Sequence, residues 1–210
     1  MKLTKTLLPL LLSGLVLAPA AFAAPDPSTR KIPVPSNAIG SAEPSRDVDL
    51  VICLDTSGSM QGLIDSCRKK LWDMCSLLGQ ARPQPRLRVA LVAFGDTRNP
   101  DGGHVVIDSV FTEELDGVYE KLMALTTNGS TELVGRALHE SLTQLEWSTQ
   151  SNALKMIFVA GNESADQDSQ YSFREQVKRA LQQNVIVNAI YCGKDTPGGG
   201  DAATWRELAT

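Results

Sequence analysis

Hydrophobic and polar positions along the chain follow two periods that take turns. Residues 48–54 (Val-Asp-Leu-Val-Ile-Cys-Leu) form a near-continuous apolar run, the pattern of a strand buried on both faces. Beyond it Leu63, Ile64, Cys67, Leu71, Met74, Cys75 and Leu78 recur at intervals of three and four, which predicts one amphipathic helix. Pro83 and Pro85 close that unit. Residues 87–94 and 104–110 read as a second and a third strand, joined by the turn-rich stretch 95–103 with no helix between them. Helical spacing returns over 115–125 and over 131–147, where Leu133, Val134, Ala137, Leu138, Leu142 and Leu145 mark the buried side. Residues 154–160 predict a fourth strand, 171–182 a helix and 185–192 a fifth strand. A last helical pattern opens near Ala202 and runs to Thr210. The expectation is that the domain's final helix and strand continue past that point.

Strands alternating with helices imply an α/β fold, a doubly wound and mostly parallel sheet with helices on both faces. The strand pair joined without a helix adds one antiparallel edge strand.

The first residues follow neither period. Lys2 and Lys5 precede an apolar stretch over 7–17, and Ala21-Phe22-Ala23 supplies the small residues that a signal peptidase reads. Residues 1–23 are therefore expected to be a signal peptide, and the chain to be exported, periplasmic or secreted. Pro9 and Pro19 interrupt the segment, and it falls short of the roughly 20 apolar residues of a membrane span. Residues 24–46, with Pro25, Pro27, Pro33, Pro35 and Pro44 among Ser and Ala, read as an extended linker. That leaves 47–210 as the folded domain. Composition adds exclusions: 42% hydrophobic and 21% charged residues rule out wholesale disorder. A net charge of −4 with no basic block argues against nucleic acid. Loss of the leader would remove two lysines and no acid, taking the charge to −6.

The candidate chemistry lies where the first strand ends. Asp55, Ser57 and Ser59 stand at alternate positions between that strand and the helix, with Gly58 allowing a tight turn. In a doubly wound sheet, ligands bind outside the carboxyl ends of the strands. One carboxylate and two hydroxyls there make a hard oxygen site, suited to Mg²⁺, with Mn²⁺ or Ca²⁺ as alternatives. A second loop, Thr126-Thr127-Asn128-Gly129-Ser130-Thr131, also precedes a helix and offers the Thr131 hydroxyl. Each loop taken alone has a simpler explanation, because Asp, Ser and Thr are ordinary helix N-caps.

From about Asp47 to Cys192 the order of elements, together with the DTSGS motif, resembles the von Willebrand factor type A (VWA) family in its bacterial exported form. DTSGS matches the DxSxS motif of that family's metal-ion-dependent adhesion site (MIDAS), and a Thr opening a helix follows about seventy residues later. The resemblance implies Asp55, Ser57, Ser59 and Thr131 as metal ligands. It also implies a non-catalytic module that captures a protein partner's Asp or Glu carboxylate through the ion. The family expects an Asp after the fourth strand, whereas this chain reads Ala160-Gly161-Asn162-Glu163. Asn162 or Glu163 is expected to stand in, directly or through water, while Asp166 and Asp168 read as solvated loop acids. The alternative reading is a scaffold or assembly domain with a weak or vestigial ion site.

Catalysis finds little support in the sequence. Ser57 lacks the flanking glycines of a nucleophile elbow, and no phosphate-binding loop of the Gly-x-x-x-x-Gly-Lys-Ser/Thr type occurs. The two histidines, His104 and His139, belong to no triad or zinc pattern. Cys53, Cys67, Cys75 and Cys192 suit the role of small buried hydrophobes. The one pairing the pattern suggests is Cys53 with Cys67 or Cys75, since the latter two are too far apart along one helix to bridge.

Overall fold

In the computed structural model, residues 46–101, 103–194 and 200–209 are described. The expected leader and nearly all of the Pro-rich segment lie outside them. Strand β1 (Asp47–Asp55) is buried along its whole length and sits at the centre of a five-stranded sheet. It pairs in parallel with β2 (Arg86–Phe94) on one side and β4 (Leu154–Gly161) on the other. Beyond β4 lies β5 (Val185–Tyr191), also parallel. Beyond β2 lies β3 (Val105–Thr112), antiparallel and irregular in register, which gives the order β3-β2-β1-β4-β5. The mixed sheet with one antiparallel edge is the one the pattern predicts.

Two-sided burial of the strands sets up two cores. Val48, Leu50, Ile52 and Leu54 of β1 point to one face, where α1 (Ile64–Gly79) and α2 (Leu115–Ala124) cover them with Leu71, Cys75, Val118 and Leu122. Val51 and Cys53 point to the other, against α3 (Val134–Thr143), α4 (Phe173–Gln182) and α5 (Gly200–Leu208). Strand period two thus separates alternate residues of one apolar run into different cores. Among the described residues no helix is long and apolar enough to cross a membrane.

Several boundaries differ from the sequence reading. A single 3₁₀ turn (Gly58–Met60) takes in the last two residues of the DxSxS motif before α1 begins. Helix α3 starts at Val134 rather than Thr131, so residues 131–133 approach it in non-helical conformation. Cys53 and the pair Cys67 and Cys75 lie in opposite cores, which rules out the bridge the pattern suggests. The physical reason is the strand period: Cys53 falls on the odd face, away from α1.

From β1 the chain passes to β2 on one side, and β4 lies on the other, so the strand order reverses between β1 and β4. The crevice beyond the carboxyl ends of those two strands is the expected ligand position. Asp55 ends β1 and Gly161 ends β4.

Candidate metal site

Three loops meet at this crevice, and their backbones lock first. Thr56 donates its backbone N–H to the Phe94 carbonyl at 2.8 Å and accepts from the Asn128 N–H at 2.9 Å. Gly58 N–H donates to the Gly129 carbonyl at 2.6 Å. The approach is close enough that a Cβ on Gly129 would run into the Gly95 carbonyl, and Gly95 itself takes a positive φ of 72°. Glycine is needed at both positions, one for space and the other for backbone conformation.

Side chains then converge. Asp55 is fully buried, and its Oδ1 accepts the Ser57 backbone N–H at 2.7 Å. Ser57 Oγ stands 2.9 Å from Ser59 Oγ and donates to Glu132 Oε1 at 2.8 Å. Ser59 Oγ lies 3.0 Å from both Glu132 Oε1 and Asn162 Oδ1. Four of the expected residues or their loops therefore come together: Asp55, Ser57, Ser59 and Asn162.

Thr131 and Glu163 are placed differently. Thr131 is half-buried and has no hydrogen bond to the cluster among the described residues. Glu163 turns its carboxylate to the Gln167 amide at 3.3 Å, and its backbone carbonyl accepts Trp205 Nε1–H at 2.6 Å. The residue that sequence reasoning overlooks is Glu132, almost wholly buried. Its signal depends on where α3 begins, which local preference determines only weakly. Counted from Val134, the buried positions Val134, Ala137, Leu138, Ser141 and Leu142 fit one helical face without Thr131. With α3 starting there, Glu132 falls in the loop and is free to point into the crevice.

The loop acids beyond Asn162 are structural. Asp166 pairs with Arg174 at 2.9 Å, and Asp168 Oδ1 accepts the backbone N–H groups of Gln170 and Tyr171 at 2.8 and 3.0 Å. His139 stacks on the Tyr171 ring at 4.1 Å. His104, at a positive φ of 60°, sets its Nδ1 3.2 Å from the Asp96 carbonyl.

The electrostatics of the crevice are unbalanced. Asp55 Oδ2 and Glu132 Oε2 are each buried without a hydrogen-bond partner among the described residues. Neither carboxylate has a Lys or Arg ion pair among them. Burial, and after it the charge of Glu132, push the Asp55 carboxyl up to about 8, against the pull of the Ser57 hydrogen bonds. Two buried acids facing no cation are costly. A hard divalent ion would supply the missing charge and take up the orphaned oxygens, so the donor set of two carboxylates, two hydroxyls and an amide oxygen fits such an ion. Among the described residues no three His, Cys, Asp or Glu side chains cluster as a metal site. The neutral hydroxyl and amide oxygens would have to complete the set.

Comparison with known proteins agrees with the fold. Residues 49–208 match the family model of the von Willebrand factor type A domain. Comparison by sequence with curated proteins gives no match. Among solved structures, the chain is similar to the SpRpn10 VWA domain, with a TM-score of 0.59 and 12% identity over 79% of this chain and 83% of that one. It is similar to proximal thread matrix protein 1 from the mussel byssus, solved with a zinc-occupied MIDAS motif: TM-score 0.56, 11% identity, 79% of this chain and 39% of that one. The pilus adhesin SpaC from Lactobacillus rhamnosus GG, in its open conformation, aligns with a TM-score of 0.52 and 17% identity over 69% of this chain. The match spans 24% of the adhesin's length. A sheet in the order β3-β2-β1-β4-β5 with the DxSxS loop at its switch point, and a family model covering residues 49–208, make this chain a member of the von Willebrand factor type A domain family.

Proposed function

We propose that the domain is a non-catalytic binding module in which Asp55, Ser57, Ser59, Glu132 and Asn162 hold a divalent cation, Mg²⁺ first, that receives an oxygen ligand from a protein partner. The observation that carries this reading is the pair of buried, unpartnered carboxylate oxygens, Asp55 Oδ2 and Glu132 Oε2. Ser59 and Asn162 lie on the more exposed side of the cluster, the side from which a partner's Asp or Glu carboxylate would arrive. Thr131 and Glu163 are secondary candidates, able to contribute through a water. Export to the periplasm or exterior, expected from residues 1–23, would suit a capture function, as would the adhesin among the similar structures.

A second reading is favoured by Glu132. Two carboxylates on a divalent ion neutralise its charge and lower its appetite for a third from outside. On that reading the ion pins the DxSxS loop, the loop over 126–133 and the loop after β4 together, and the domain serves as a scaffold whose contacts are made elsewhere on its surface. Calorimetric titration with Mg²⁺ and pull-down from the exported fraction, each with and without EDTA, separate the outcomes. Capture that EDTA abolishes and Mg²⁺ restores supports the module. Capture that survives EDTA in a protein that binds Mg²⁺ supports the scaffold. If Asp55→Ala binds Mg²⁺ as well as the wild type, both ion-based readings fail.

A further inference from the structure

We propose that Cys67 and Cys192 form an intramolecular disulfide that clamps α1 to the end of β5. The two sulfurs lie 2.9 Å apart although 125 residues separate them in sequence. That is less than an ångström beyond the S–S bond length of about 2.0 Å. Both residues are held by regular structure. Cys67 sits in the first turn of α1, with its N–H on the Leu63 carbonyl at 3.1 Å. Cys192 directly follows β5, with its N–H on the Gly161 carbonyl at 2.8 Å. Closing the bond therefore asks for small side-chain adjustments and no rearrangement of the sheet.

The setting distinguishes this pair from the other cysteines. Cys67 and Cys192 line a cavity of about 260 Å³ together with Ser66, Lys70, Ala160 and Tyr191, and Cys192 is only partly buried. A disulfide reagent can reach it. Hydrogen bonding to Cys192, against burial and helped by Lys70, holds the Cys67 thiol below the usual range, while the same contact, and after it burial, raise the Cys192 thiol, so Cys67 is the thiolate-bearing member of the pair. Cys53 and Cys75 are buried in apolar cores, their thiols pushed up to about 12 chiefly by that burial. Cys53 has Ser141 Oγ as a neighbour at 3.3 Å.

The oxidant is an external disulfide, RSSR, of low molecular weight or carried by an oxidoreductase. One thiolate of the pair attacks a sulfur of RSSR, forming a mixed disulfide and expelling RS⁻. The second cysteine, its proton passed to solvent, attacks the protein sulfur of that mixed bond and expels the second RS⁻. The protein loses two protons and two electrons, and RSSR becomes two RSH. In an oxidising compartment the clamp would be permanent, and under a reducing pool it would open. Because the Cys192 N–H is bonded to Gly161, the residue before Asn162, the bridge steadies the strand end from which Asn162 enters the metal crevice.

The test treats the full chain with oxidised glutathione or with dithiothreitol, alkylates free thiols and cleaves before aspartate. Asp49, Asp55, Asp65, Asp73, Asp168 and Asp195 place each of the four cysteines on its own peptide. The expected product links the peptide 65–72 to the peptide 168–194, with Cys53 and Cys75 alkylated only after unfolding. Oxidation should raise Tm by on the order of 10 °C, since the bond closes a long loop. Cys192→Ser and, separately, Cys67→Ala should each abolish that redox difference. The proposal is overturned if all four thiols remain alkylatable after oxidation, if glutathione adds to Cys192 without a linkage, or if the bridge joins any other pair.

Discussion

Strand β1 carries a fully buried aspartate near each end, and the fold treats the two in opposite ways. At the amino end Asp49 takes a bidentate pair from Arg88, with Nε and Nη2 at 2.8 and 2.7 Å, and the Ser148 backbone N–H at 2.6 Å. Both of its oxygens are satisfied. At the carboxyl end Asp55 has one backbone hydrogen bond, a second carboxylate as neighbour and an oxygen with no partner. The first arrangement is what structure alone requires of a buried acid. The second is destabilising as it stands, and such imbalance persists where a site needs it. The difference sets one end of the sheet apart as scaffold and supports the proposal that a cation would sit at the other.

Breaking the satisfied end should have the largest effect on stability. Arg88→Ala leaves Asp49 buried without its counter-charge and should cost about 3 kcal/mol, read as a lowered urea midpoint with unchanged slope. Because Arg88 lies on β2 at the opposite end of the sheet, Mg²⁺ affinity of the folded protein should stay as in the wild type. A variant that keeps its urea midpoint would show that the Asp49 pair carries no weight.

Removing charge at the other end should work in the reverse direction. Glu132→Gln keeps an acceptor for Ser57 and Ser59 but removes the carboxylate whose charge, after burial, helps push the Asp55 carboxyl up. Without metal it should be more stable than the wild type by roughly 1 kcal/mol, a fraction of one close like-charge contact. The same variant should lose most of the Tm increase that Mg²⁺ gives the wild type. Thermal unfolding with EDTA and with Mg²⁺ measures both. A metal-free loss of stability combined with an intact Mg²⁺ shift would remove Glu132 from the site.

Most of the architecture is legible in the sequence for a physical reason. Val48 to Leu54 is apolar at nearly every position because β1 is covered on both faces, and no other pattern satisfies a central parallel strand. The DTSGS loop is legible because a buried strand must deliver it to the switch point. Glu132 is not, because its role depends on α3 starting at Val134, and a helix boundary within a loop of Ser, Thr and Glu is weakly determined by local preference. Nor is the meeting of Cys67 with Cys192, which joins residues 125 apart where the first turn of α1 comes against the residue after β5. Periodicity identifies faces, and long-range partners come only with topology.

Asn162 tests how far the crevice can be tuned. Its Oδ1 already lies 3.0 Å from Ser59 Oγ, so Asn162→Asp adds a charge with little change of shape. The affinity for Mg²⁺ should rise about tenfold, equivalent to about 1.4 kcal/mol, while metal-free stability falls because a third acid joins two. Calorimetry that shows no tightening would place Asn162 outside the coordination shell.

The smallest expected effect separates two adjacent residues. Thr131 and Glu132 compete for the same role, because either can be the ligand that the second loop brings to the DxSxS motif. Thr131→Val preserves the shape of the side chain and removes only the hydroxyl. That hydroxyl has no hydrogen-bond partner among the described residues and the residue is half-buried, so stability should change by less than about 0.5 kcal/mol. If Glu132 is the contributing residue, Mg²⁺ affinity should change less than about twofold, since 1.4 kcal/mol is needed for each factor of ten. A fall of tenfold or more, measured by the same titration, would assign the ligand to Thr131 and require the loop over 131–133 to turn when the ion binds. The contrast with Glu132→Gln then becomes decisive, because a hydroxyl ligand lost to valine weakens the ion without relieving any repulsion. Only the carboxylate variant can raise metal-free stability and lower metal affinity together.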